Sequence, residues 1–371
     1  MDKLAQTQKG GDNAVQNQIG TQIVVGIDEK RVREICDEKI EYAIKDLSAG
    51  AIEVAKERIN AFTDSVLTKI KEISANLSSF ADPSFQRDIV RAQMSAAESD
   101  READVDALAE LLMARMNGKL KRATKTGIRK AMEIVPELEA DELAALTALL
   151  FYNRFSLNNK FGTRIQSYLA GLDERFQKML QFNLPQGHKW LSHLVVLDAV
   201  VIDTTSRFIP VDEYYSKDID GMICAGIDIN SKEYNASVQI LNACGLSHNL
   251  LVPNELMPGF VRLPFVRLCD FSIPIVIQDG QTTHRMCTIK VTDNQRQGLE
   301  KVIELYRKDT ELLKHAKAEF AKRFSQYGAL KKFKDWLADI KHGFELTSVG
   351  EALGYVNARR CIPDLPAIEL E

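Results

Sequence analysis

Five carboxylates lie close together in the middle of the chain: Asp212, Glu213, Asp218, Asp220 and Asp228. Grouped carboxylates are what a metal-dependent hydrolase or nuclease uses to hold its ions. Asp218 and Asp220 are two apart, the spacing that places side chains on one face of a strand. Gly221 and Gly226 are the residues that would let the chain bring Asp228 back to them. Asp218-Ile-Asp-Gly221 has the start of a calcium loop, without the other ligands or the terminal Glu. A polar loop is the plainer reading of segment 212–228, and the hydrolase is the alternative.

The histidines do not add to this set. His188 and His193 are five apart and so do not share a helical face as an i,i+4 metal pair does. His248, His284, His315 and His342 stand alone. His284 and Cys287 are three apart, but no second pair completes a metal site. No G-x-S-x-G, Walker A or G-x-G-x-x-G pattern occurs. Cys224 and Cys244 lie in apolar contexts, where thiols pack rather than react. No catalytic residue, metal ligand or cofactor is therefore assigned.

A second candidate is Lys119, Lys121, Arg122, Lys125, Arg129 and Lys130. These are six basic residues among twelve, with no acidic residue between them. Such a run can grip phosphates. It has no interleaved aromatic residue and belongs to no groove-reading motif. It reads as a solvated loop entering a helix over 128–135, with nucleic-acid contact as the minor alternative.

The elements that would have to position these groups are mostly helical. Among 371 residues, 45% are hydrophobic and 27% charged, which fits an ordinary globular chain with a sizeable core. A formal net charge of −4 gives no overall attraction to nucleic acid or acidic membranes. The six cysteines are scattered and the N-terminus lacks an export signal, so a cytoplasmic protein with reduced thiols is expected. The apolar run from Leu194 to Ile202 is interrupted by Asp198 and is too short to span a bilayer. It is expected to be a buried helix from His193 onward.

The fold expected is mainly α: a long N-terminal helix and a helical body with a minor β component. Four segments are expected: a Gln/Asn/Gly-rich leader over 1–26, a long amphipathic helix within 27–78, a helical domain over 79–182 and an α+β domain over 183–371. Asp28 is a good N-cap. From Val32 to Ile73 apolar residues recur every three or four positions, and the phase holds across Ser48 to Gly50. This predicts one helix, coiled-coil-like in its stripe, roughly 60 Å long at 1.5 Å per residue. Asp82-Pro83 opens another helix, Pro136 ends one, and Leu143 to Phe151 forms the most hydrophobic of them. Ile273 to Gln278 and Arg285 to Val291 predict a hairpin around Asp279-Gly280. Thr292 and Thr347 are expected helix caps.

The leader has a different chemistry. From Ala14 to Val25 there is neither charge nor Pro. One strand face would carry Val15, Asn17, Ile19 and Ile23, and the other Gln16, Gln18, Gly20 and Gln22. β-formers on one face and laddering Gln on the other are the marks of a cross-β segment. Asn17-Gln18-Ile19-Gly20 resembles the core of the RIP homotypic interaction motif and its bacterial and fungal amyloid-signalling relatives. It departs from that core in having Asn17 where the motif has Val or Ile. The resemblance implies homotypic fibrils and signalling between proteins with matched motifs.

Glu133 to Phe155 and Phe344 to Arg360 resemble parts of a family of uncharacterised bacterial proteins that often begin with a similar leader. Leu346-Thr347-x-x-Gly350 after a short strand also occurs in winged-helix domains. The reading of the sequence is a self-associating interaction or effector protein whose first partner is itself, through Val15, Gln16, Asn17, Gln18, Ile19, Gly20, Gln22 and Ile23. A second protein carrying a matching motif is the further partner. The resemblance implies a role in bacterial stress response or phage defence. No membrane span is expected.

Overall fold

Capping side chains set the starts of half of the described α-helices, among them Asp28, Asp82, Ser231, Thr292, Asp309 and Thr347. The computed structural model describes residues 28–73, 77–116, 120–155, 164–181, 183–268, 271, 273–279 and 283–366. The leader, and with it every self-association residue named above, lies outside the described residues, as does Lys119. Fourteen α-helices and seven short strands occur among those described, so the chain is mainly α with a minor β part. It divides into two compact units, Met1–Lys125 and Thr126–Glu371.

In the first unit, helix α1 (Glu29–Ala43) starts at Asp28, whose carboxylate accepts the Arg31 N–H at 2.8 Å. Helix α2 (Ala49–Ile73) follows. The single helix predicted from Val32 to Ile73 is thus two. The apolar stripe is a packing face, since Val32, Cys36, Ala55, Ile59, Phe62, Val66 and Ile70 are all buried. It is not continuous: Leu47 and Ala51 in the same stripe are exposed. The ladder ends where Leu47 N–H bonds to Ile44 O, and restarts where Ser48 O accepts from Ala51 and Ile52. Folding back gathers Ile44, Ala55 and Ile59 into one cluster with Ile40 and Ala97. A straight helix would leave these groups in water.

Helix α3 (Pro83–Glu98) begins with Pro at its first position and Asp82 as cap, accepting Ser84 and Phe85 N–H. It packs on α1 and α2, and helix α4 (Glu102–Arg115) packs on α2 and α3. Fully buried Asp88 on α3 is paired with Arg91 and with Arg115, each at 2.9 Å. Breaking a buried pair of this kind is expensive, because it strands a charge away from water.

From Arg122 onward the basic segment is helical and runs across the chain division at Lys125/Thr126, and the elements after it belong to the second unit. Helix α5 spans Arg122–Ile134, starting at Arg122 and not at Ile128 as expected. Thr124, Ile128, Ala131 and Met132 are buried, so the inward stripe reaches back one turn beyond the obvious apolar residues. Helix α6 (Ala140–Arg154) opens on a capping box formed by Glu139 and Glu142. Helix α7 (Ile165–Met179) is tied to α13 (Gly328–Ala338): Asp173 Oδ1 accepts the N–H groups of Ala329 and Leu330 at 2.9 and 3.1 Å. The boundary expected at 182/183 therefore falls inside one unit. Side chains before and after it share an aromatic core, with Phe176 4.7 Å from Phe333 and edge-on to Tyr215.

Helix α8 (Lys189–Val196) is shorter than the helix expected up to Ile202. Asp198 has φ +57°, a left-handed conformation that stops it, and Val200 to Asp203 then form strand β1. The β-branched residues Val200, Val201 and Ile202 suit a strand better than a helix. Strand β1 (Val200–Asp203) pairs antiparallel with β7 (Gly343–Leu346), from Val200↔Leu346 to Asp203↔Gly343. Helix α14 (Ser348–Cys361) follows and lies against α6. A Cβ on Gly350 would sit 2.1 Å from Ala199 O, and one on Gly354 2.8 Å from Leu146 O, so only glycine fits either contact.

The remaining strands form two further sheets. Strands β2 (Ile227–Asp228), β3 (Val252–Pro253) and β4 (Phe260–Arg262) form a sheet in the order β2-β4-β3. It shares a core with α10 (Lys232–Ala243) and α11 (Asp293–Glu304), built on Leu241, Leu263, Leu299 and Val302. Strands β5 (Ile273–Asp279) and β6 (Thr283–Ile289) form the predicted hairpin. Helices α9 (Val211–Asp218) and α12 (Thr310–Phe324) complete the unit.

Candidate binding groove

The acidic cluster is mostly a helix rather than a loop, and its members have separate partners. Asp212, in the first turn of α9, accepts from Lys334 Nζ at 2.8 Å. Glu213 pairs with Lys217 one turn on. Asp218 pairs with Arg267 at 2.6 Å, and Asp220 accepts the Leu268 N–H at 2.9 Å. Asp228 accepts the Asn230 N–H at 2.8 Å. Gly226 has φ +76°, and Val261 O lies 2.3 Å from where a Cβ would stand, so its freedom serves the β2–β4 pairing. Among the described residues no group of three or more His, Cys, Asp or Glu side chains is placed to hold a metal ion.

The basic segment is spread around α5. Arg122, Lys125 and Arg129 share a face by their spacing, and each already interacts with another group of the protein. Lys121 is exposed. Lys130 points elsewhere and is paired with Asp198. The Leu346-Thr347-x-x-Gly350 element is a strand and a Thr-capped helix, as expected, with Thr347 Oγ1 accepting Val349 and Gly350 N–H. Helix α14 is buried continuously from Ala352 to Ala358, which leaves no open recognition face of the winged-helix kind.

Cys36, Cys224 and His193 are engaged within the protein. Burial pushes the Cys36 thiol up to about 12 and the Cys224 thiol up to about 11, so both stay protonated and inert. His193 Nδ1 lies 2.8 and 3.0 Å from the two oxygens of buried Glu142. Glu142 is also the capping-box residue of α6, and the contact fastens α8 to that helix start.

A rigid loop builds the best-formed site. After β1, Asp203 Oδ1 accepts the Thr205 N–H at 2.8 Å and its hydroxyl at 2.6 Å. These bonds, the hydroxyl first, hold the Asp203 carboxyl down to about 2. Ser206 O accepts the Gly343 N–H at 2.9 Å. Phe208 meets Phe344 edge-on at 5.1 Å, and Tyr152 OH donates to Ile209 O at 3.0 Å. The backbone is thereby fixed while Arg207 stays exposed.

Arg207 and Phe208 form a wall between two grooves. One, of about 530 Å³, has Ile209, Leu337 and Ile340 as apolar lining and Arg207, Lys334, Lys341 and His342 as its polar side chains. It contains no carboxylate. Lys334 is partly neutralised by Asp212, while Arg207, Lys341 and His342 have no ion-pair partner among the described residues. The other groove, of about 600 Å³, is mixed in charge, with Glu345 and the Arg154–Glu351 pair at 2.6 Å. The first groove is therefore the one suited to a ligand with negative charge and an apolar body.

Sequence reasoning did not find this site. Arg207 lies far in the chain from Lys334, Lys341 and His342, and His342 by itself is an isolated histidine. The β1–β7 pairing and the packing of α13 on α9 bring them together. A protein-family model matches residues 26–370; the family is described only as a "-like" group, with no activity, ligand or partner in its description. No curated protein and no solved structure matches the chain.

Proposed function

We propose that this chain, which belongs to the family whose model spans residues 26–370, is a self-associating interaction protein whose second unit captures an extended, acidic and partly apolar segment of another protein. The observation that carries this is the groove beside Arg207: basic side chains over an apolar lining, with no carboxylate. Apolar burial would supply the affinity, and the cations the rate of encounter and the choice of partner. Strand β1, which leads into the loop, adds to the surface. Val201 and Ile202 are exposed on it, and among the described residues it pairs on one side only, with β7. An unpaired edge is where an extended segment adds by main-chain hydrogen bonds.

A nucleic-acid ligand fits this groove less well. Its apolar lining offers nothing to a sugar-phosphate backbone, and Phe208 is engaged with Phe344 and not free to stack. Self-association is carried by the leader sequence, by its resemblance to the amyloid-signalling motif.

The test uses a fluorescent peptide of alternating Leu and Glu, a Leu/Lys counterpart and an oligothymidylate. The acidic peptide is expected to bind, to weaken with added salt, and to lose roughly tenfold or more in affinity in an Arg207→Glu/Lys341→Glu double variant. Both positions are exposed, so circular dichroism should show the fold intact. Equal binding of the two peptides, or acidic binding unchanged in the variant, contradicts the proposal. Preferential binding of the oligothymidylate would assign the groove to nucleic acid.

A further inference from the structure

The first unit contains another basic groove, between α1 and α3, with a volume of about 510 Å³. Tyr42, on the last turn of α1, holds its ring in solvent at 66% exposure. Lys39 Nζ lies 5.6 Å from the centre of that ring. Facing them, Arg87 and Arg91 are one turn apart on α3, and Val90 and Pro83 supply an apolar wall. Arg91 is fixed by its 2.9 Å bond to buried Asp88, which Arg115 holds from the other side.

No carboxylate lines this groove. Glu38, on the same helix as Tyr42, is bonded to Arg31 at 3.1 Å. Glu41 is adjacent to Tyr42 in sequence and so points to a different side of α1. Asp88 offsets charge at Arg91, leaving Lys39 and Arg87 as the uncompensated cations; Arg87 has no ion-pair partner among the described residues. Two such charges match a phosphate monoester, which carries roughly −1.5 to −2 at neutral pH. The exposed ring matches a planar group that can stack, and cations next to a ring strengthen that stacking.

We infer that this groove is a binding site for a free mononucleotide, with the base on Tyr42 and the phosphate between Lys39 and Arg87. The volume lies within the range of small-ligand sites, roughly 300–1,000 Å³. A nucleic-acid strand is the poorer fit, because the lining offers a single aromatic ring and successive bases need successive platforms. The site does not depend on the groove of the second unit.

The experiment is calorimetric titration of the full chain at low salt with adenosine monophosphate, adenosine and inorganic phosphate. Adenosine monophosphate is expected to bind, with each fragment roughly tenfold weaker or more. Tyr42→Ala and Arg87→Glu should each weaken it by a similar factor, and Arg207→Glu in the other unit should not. Tyr42 and Arg87 are exposed, so thermal melts of both variants should match the parent. Absence of binding at millimolar nucleotide overturns the assignment. So does affinity that neither substitution changes. Displacement of the nucleotide by a much tighter-binding oligothymidylate would show a strand site and overturn it as well.

Discussion

Asp203 shows how one side chain prepares the groove for its ligand. Its carboxylate accepts the Thr205 hydroxyl and N–H, and the chain reverses there so that Arg207 faces solvent. The carboxyl titrates at about 2, below the ordinary value near 3.9. A depressed folded pKa means that the charged form stabilises the fold. That contribution is complete above about pH 4 and is lost as pH falls through about 2. In Thr205→Val the carboxyl should titrate closer to its ordinary value, as read from the side-chain carbon shift of Asp203. A value that stays near 2 would show that the hydroxyl is not the main cause. The short Asp-x-Thr spacing of this turn is visible in the sequence; what the turn presents is not.

At the scale of elements, α1 and α2 separate periodicity from continuity. Ile59 is fully buried in the cluster formed where the chain folds back, and Lys56, one turn earlier, is exposed. Ile59→Asp should reduce unfolding stability by about 4 kcal/mol or more, because a charge would enter a closed seam. Lys56→Asp should stay within about 0.5 kcal/mol. Urea unfolding followed by circular dichroism distinguishes the two. Small, equal effects would mean that the stripe is not a packing face. The same comparison explains the corrected helix over α8. An apolar run has no direction of its own, and Val201 and Ile202 remain exposed once they belong to a strand.

For the whole molecule the open property is assembly. Residues Val15 to Ile23 have the pattern of a stacking strand, and every described helix and strand follows them in the chain. Deleting residues 1–26 should leave the helical circular dichroism signal in place and remove thioflavin-positive, sedimentable species. Ile19→Asp should act like the deletion, because an in-register stack would repeat that charge about every 4.8 Å. If the full chain never forms such species at high concentration, the leader does not drive assembly.

Local chemistry was legible in the sequence. Asp28, Asp82, Thr292 and Thr347 cap helices, and Asp279 ends the first strand of the hairpin. Each is decided within a few residues by hydrogen bonds to the nearest backbone, so neighbours in sequence suffice. The mainly α class follows from the same short-range periodicity. The groove was not legible, because its charge balance depends on groups far apart in the chain: Arg207 after β1, Lys334 on α13, and Lys341 and His342 before β7. The partners of the acidic residues were hidden for the same reason. Asp212, Asp218 and Asp220 are close in sequence, but their partners Lys334, Arg267 and Leu268 are distant, and a carboxylate's role is set by the group that reaches it. The sequence alone therefore determined the helix caps, the hairpin and the mainly α class, while tertiary packing decided where α1 and α2 separate, that Val200 to Asp203 form a strand, and which charges are neutralised or remain for a ligand.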